Sequence, residues 1–170
     1  MGNNIMKYLS GEEEKNAEIY IEKAVEVARK ATCRRAKCGA VIVKDGEIIG
    51  TGFNSPPGEN ESERRCEIKK SMYDRKVTDK TCCVHAEQRA IMDALRRNPE
   101  KLIGSTLYFA RFHPNGEQRF HGGEDKLYCT ICTKMMLDTG IAEFILPCRD
   151  GICAYPAGEY NRKSFDYKKL

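Results

Sequence analysis

At 170 residues, with 41% hydrophobic and 32% charged residues, the chain is long enough for about one soluble globular domain with its own core. Its 29 basic and 25 acidic residues give a formal net charge of +4, a mild surplus that suits a small anionic substrate and argues against nucleic-acid binding. No apolar stretch is long enough to span a bilayer and residues 1–14 carry no secretory segment, so the nine cysteines point to reduced thiols plus a metal site in a cytoplasmic setting.

The first eleven residues are expected to be flexible, and residues 12–170 to form a single domain. Ser10 can cap a helix over residues 12–32, with Glu12 to Glu14 beside its positive end and Ile19, Ala24, Val27, Ala28 and Ala31 at helical spacing. Two β-rich runs, 39–44 and 47–52, flank Asp45-Gly46, a strong hairpin signal. Residues 53–81 are polar and broken by Pro56, Pro57 and Gly58, with a helix expected around 62–73. A loop of that length in a small domain usually carries function. A helix follows over 86–97, stopped by Asn98-Pro99, then a strand over 105–110, a helix over 130–138 ended by Gly140, and a strand over 141–146. The tail after Tyr155 reads as a short strand plus a helix. This order describes an α/β fold, one mixed sheet with helices on its faces.

Against this frame two short motifs carry the chemistry. His85-Ala86-Glu87 opens the second helix, and Cys129-Thr130-Ile131-Cys132 opens the third. One imidazole and two thiolates suit zinc, and three protein ligands leave a fourth position open, as in catalytic sites. Helix N-termini stabilise thiolates. Glu87, two residues beyond the histidine, is placed to handle protons beside the metal as general base and then general acid. The N–H of Ala86 can donate to a carbonyl of the substrate base. H-x-E followed by P-C-x-x-C is the signature of zinc-dependent nucleobase deaminases, with Tyr128 here in place of the proline. The competing reading is an inert zinc staple, closed by His113 or His121; both otherwise read as ordinary loop histidines.

The other seven cysteines, Cys33, Cys38, Cys66, Cys82, Cys83, Cys148 and Cys153, read first as small buried apolar residues. A second, structural zinc on Cys33, Cys38, Cys66 and Cys82 or Cys83 ranks below that, because their spacing is not that of paired CxxC motifs.

With these residues the chain resembles the cytidine and deoxycytidylate deaminase family, and most closely its deoxycytidylate branch, over roughly residues 24–146. Arg35-Ala-Lys-Cys-Gly-Ala-Val-Ile-Val43 is similar to the family's first strand, and Gly50-Thr-Gly-Phe-Asn-Ser-Pro-Pro57 looks like its G-x-G-[YF]-N segment. The resemblance implies a three-layer single-domain fold, one catalytic Zn2+ on His85, Cys129 and Cys132, Glu87 as the proton carrier, and Asn54 as a nucleotide contact. From the residues alone, Asn54 reads as a turn residue before Pro56. The resemblance further implies hydrolytic deamination of a free cytosine nucleotide, dCMP to dUMP, by a homo-oligomer. A deaminase of a base within RNA or DNA, or of another small aminopyrimidine or purine, is the first alternative, and a non-catalytic zinc-stabilised binding module the second. The chain departs from the family at Tyr128 and in the inserted residues 111–127, where Asn115-Gly116 predicts a hairpin turn that can line or cover the pocket.

Overall fold

Asp45 and Gly46 both adopt positive φ, 49° and 79°, and fold β2 (Lys37–Lys44) back onto β3 (Glu47–Phe53) in the hairpin that an Asp-Gly pair favours. The computed structural model describes residues 5–123, 127 and 129–166, so Tyr128 lies outside the described residues. β4 (Thr106–Phe112) pairs antiparallel with the other edge of β2, β5 (Glu143–Cys148) runs parallel to β4, and β6 (Gly151–Pro156) returns antiparallel to β5. A short β1 (Lys7–Tyr8) completes a six-stranded mixed sheet of order β1-β6-β5-β4-β2-β3.

Of residues 1–11, which were expected to be flexible, 1–4 lie outside the described residues, and Lys7 to Leu9 are tied to the sheet. Lys7 and Tyr8 pair with Ala154 and Cys153, and Leu9 is buried with its N–H on Ile152 O at 2.8 Å. The exposed edge of β6 supplies unpaired backbone groups that the N-terminal residues satisfy.

Among the described residues, four helices cover the sheet. α1 (Gly11–Ala28) packs on one face against Val41, Tyr108 and Ile145. α2 (Ala86–Arg97), α3 (Thr130–Asp138) and α4 (Ala157–Phe165) cover the other around Ile42, Leu107, Phe144 and Leu146. This is the expected α/β three-layer arrangement. Among the described residues no helix is long and apolar enough to cross a membrane.

Three expectations shift. α1 stops at Ala28 and buries Ala17, Ile21, Ala24 and Ala28, while Ile19 is 54% exposed. Small residues won over a large one because the helix lies almost on the backbone of β2. The helix expected around 62–73 is replaced by single 3-10 turns at Glu61–Glu63 and Lys70–Met72; only Cys66 of that stretch is buried, so tertiary packing does not support a longer helix. Cys148 and Cys153 are joined as a disulfide across the β5–β6 hairpin, where free thiols were expected. Inside the insertion, Phe112 bridges Gln118 and Arg119 N–H donates to Arg111 O at 2.8 Å, so the predicted hairpin around Asn115-Gly116 does form.

Two glycines set how closely the helices approach. A Cβ on Gly39 would stand 2.0 Å from Ala24 O of α1, and one on Gly52 would stand 2.2 Å from Ala86 O and 2.4 Å from Ala90 N of α2. Those atoms are backbone, so a side chain can be admitted only by moving the whole helix.

Gly52→Ala is therefore expected to cost about 1–3 kcal/mol or more through overpacking, lowering Tm by several degrees. Because the clash falls on the first turn of α2, zinc affinity should weaken with it. Thermal denaturation and metal analysis of the variant check this; a wild-type Tm would show that α2 is not seated on β3 as described.

Candidate active site

The path from β3 to α2 places two helix starts side by side. Val84 N–H donates to Ser55 O at 3.0 Å, so residues 56–83 leave the fold and re-enter it at nearly one point. α2 thus begins next to the end of β3. α3 connects the parallel strands β4 and β5 over the same face, and Gln88 Nε2 of α2 reaches Met135 Sδ of α3 at 3.8 Å. The first turns of both helices therefore face one small space.

His85 occupies the N-cap position of α2, its N–H held by Gln88 Oε1 at 2.9 Å. Cys129 is the N-cap residue of α3, and Cys132 is buried in its first turn. Cys129 Sγ lies 3.2 Å and Cys132 Sγ 3.3 Å from His85 Nδ1. A tetrahedral zinc separates a ligating nitrogen from a thiolate by about 3.6 Å, so the three donors need move only by tenths of an ångström to hold one. Among the described residues no fourth histidine, cysteine or carboxylate joins this set, and neither His113 nor His121 closes it. The donor set fits an open zinc site.

The electrostatics suit a cation. Burial alone would lower the His85 imidazole, but its hydrogen bond with Cys129 and the nearby Glu87 raise it to about 9. Cys129 is pulled down to about 4 by hydrogen bonds with Cys132 and His85, against its own burial. One sulfur is thus already a thiolate, and a metal would take the place of the shared protons. Glu87 is only 7% exposed, and burial pushes its carboxyl above the usual carboxylate range. A buried carboxyl so placed, its proton held more tightly than usual, is suited to take and release a proton beside the metal.

A cavity of about 220 Å³ opens over these residues, lined by His85, Ala86, Glu87 and Cys129. Asn54 also lines it, but the side chain is engaged with backbone: Oδ1 accepts Cys38 N–H at 2.8 Å and Nδ2 donates to Ala36 O at 2.9 Å. Asn54 therefore braces the end of β3 against β2, and only the second Nδ2 hydrogen can still face the cavity. Sequence reasoning missed four lining residues. Arg35, Lys70 and Arg111 bring positive charge, and His121 stands edge-on to Phe109 with ring centroids 5.3 Å apart. Burial first, then Arg111 and Arg119, push His121 down to about 3, which keeps it neutral. The only hint was that the insertion holding Arg111 and His121 ends beside a zinc ligand.

Comparison with known proteins gives the family and the fold. The family model for the cytidine and deoxycytidylate deaminase zinc-binding region matches residues 14–148. A deoxycytidylate deaminase of Mycobacterium phage D29 is 30% identical over 76% of this chain and 92% of its own length. That of Schizosaccharomyces pombe is 31% identical over 74% of this chain but only 35% of its own, so the chain spans about a third of that relative. In fold, the chain is similar to a crystal structure of dCMP deaminase from the cyanophage S-TIM5 in complex with dCMP and dUMP, with a TM-score of 0.54 and 24% identity over 81% of this chain and 83% of that one. With the family model covering most of the domain and the phage relative aligned over most of both chains, the chain belongs to the cytidine and deoxycytidylate deaminase family of zinc hydrolases.

Proposed function

We propose that this chain hydrolyses deoxycytidylate to deoxyuridylate and ammonia. The observation that carries the reading is a small cavity that places one buried carboxylate, Glu87, beside a three-ligand zinc set. The name deoxycytidylate deaminase shared by the relatives supports the choice of base and phosphate.

When bound, zinc supplies a Lewis acid that acidifies water at the open position. Glu87 moves the protons: one from the attacking water to the ring nitrogen of cytosine, then one to the departing amine. Water adds its oxygen to the ring carbon, the C–N bond breaks, and ammonia leaves. The Ala86 N–H, at the helix start, orients the base through its carbonyl. Asn54 offers its remaining Nδ2 hydrogen to the nucleotide. Arg35, Lys70 and Arg111 favour a substrate bearing a phosphate over a neutral nucleoside. Assembly as a homo-oligomer belongs to the same reading.

Ammonia release measured over a panel of nucleosides, nucleotides and a structured RNA tests the assignment. dCMP should give the highest kcat/KM, and Glu87→Gln should lower it by about 10²–10⁴-fold with zinc and fold retained, since an amide cannot shuttle a proton. Faster turnover of the RNA or of a free nucleoside would reject the substrate; wild-type activity in the variant would reject the role of Glu87.

Asn54→Ala separates bracing from binding. Removing two backbone hydrogen bonds should cost about 1–3 kcal/mol of stability, and losing a nucleotide contact should lower kcat/KM by roughly five- to 150-fold. Reduced stability with unchanged kcat/KM in the folded enzyme would leave Asn54 a purely structural residue.

A further inference from the structure

A second group of metal-ligating side chains converges outside the site described above. Cys33 lies on the segment entering β2, Cys66 midway along the 56–83 excursion, and Cys83 two residues before His85. Their sulfur atoms all lie within 4.8 Å of one another, and none is in a disulfide. Cys66 Sγ and Cys83 Sγ stand 4.0 Å apart, against about 3.8 Å for two thiolates on a tetrahedral zinc. Cys82 sits on the same turn, accepts Arg65 N–H at 2.8 Å, and interacts with Cys66. Cys38, the fifth cysteine weighed from sequence, stays out of the group.

We propose that Cys33, Cys66 and Cys83, with Cys82 as fourth ligand, hold a second, structural zinc ion that pins the excursion to the wall of the catalytic cavity. Four thiolates fill a tetrahedral shell and leave no position for substrate, which makes the site structural. They also leave two net negative charges on a divalent ion, and the surroundings answer them. The N–H groups of Arg35 and Ala36 hydrogen-bond Cys33, that of Arg34 hydrogen-bonds Cys66, and the Arg64 guanidinium lies 3.4 Å from Cys66 Sγ. Donors of this kind orient ligands and stabilise their charged form.

The excursion itself requires an anchor. From Pro57 to Cys82, Cys66 is the only buried residue, so hydrophobic packing does almost nothing to order this stretch. A metal would supply that order directly. The stretch also lines the cavity, since Cys66 and Lys70 face it together with Cys33 and Arg35. An ion here fixes where the cavity's positive charges stand, so it acts as a positioning element. The inference is independent of which base is deaminated.

Zinc measured by elemental analysis on the full chain, after gel filtration in metal-free buffer, should come to two per chain. Cys66→Ala should bind one, cut faster with trypsin between Lys69 and Lys80, and show a raised KM with a smaller change in kcat; Cys38→Ala should keep two. One zinc per wild-type chain would overturn the proposal, as would two in Cys66→Ala or a Cys66–Cys83 disulfide found by mass spectrometry. If Cys66→Ala does not fold, the wild-type stoichiometry and the disulfide map still decide the matter.

Discussion

The close seating of α2 on β3 is the constraint on which the site depends. Gly52 has no side chain because the carbonyl of Ala86 occupies the space where one would be, and along the helix Ala90 and Ala94 keep the same face shallow. The helix start is thereby fixed relative to the strand. His85 and Glu87 belong to that start, so their positions are set by backbone packing and not by the length of the loop before them. The Ser55–Val84 bridge explains how a long excursion can be tolerated there: it is closed off at its base and leaves the junction between β3 and α2 unaltered.

The second consequence is electrostatic. Two helices starting in one place direct the exposed N–H groups of their first turns at the same small volume, which favours anionic sulfur and carboxylate. Cys129 is held well below the usual thiol range, whereas Glu87, more deeply enclosed, is pushed up by burial. The contrast divides the labour between them: the thiolate suits a permanent metal ligand, and the carboxyl, poised to exchange a proton, suits catalysis. Arg35, Lys70 and Arg111 add positive charge elsewhere around the cavity, which is why a phosphate-bearing substrate is proposed over a neutral one.

Most of the framework was legible in the chain because it rests on local rules. Asp45-Gly46 marked its hairpin, Asn98-Pro99 ended α2, and Gly140 followed α3, each through backbone geometry that nearby residues determine. His85, Glu87, Cys129 and Cys132 were readable for a similar reason, since their spacing is tied to helix starts. What could not be read depends on tertiary contact. Pairing of Lys7 and Tyr8 with β6 needs the edge of a finished sheet. Ile19 looked like a core residue until the closeness of α1 to Gly39 selected alanines instead. His121 reaches the cavity only because the inserted hairpin folds back beside Phe109. The grouping of Cys33, Cys66 and Cys83 could be raised from the sequence only as a lower-ranked set that also held Cys38, because its members are dispersed over three segments that meet only in the folded chain.

The central claim is that one zinc ion is shared between the two helix starts, and Cys132→Ser tests it most directly. Cys132 touches both His85 and Cys129 from the first turn of α3, and a hydroxyl is a poor substitute for a thiolate. Zinc content and deaminase activity should be measured on the same folded preparation, with circular dichroism to establish the fold. The account predicts loss of one zinc per chain relative to wild type together with loss of turnover; undiminished zinc and wild-type activity would contradict it.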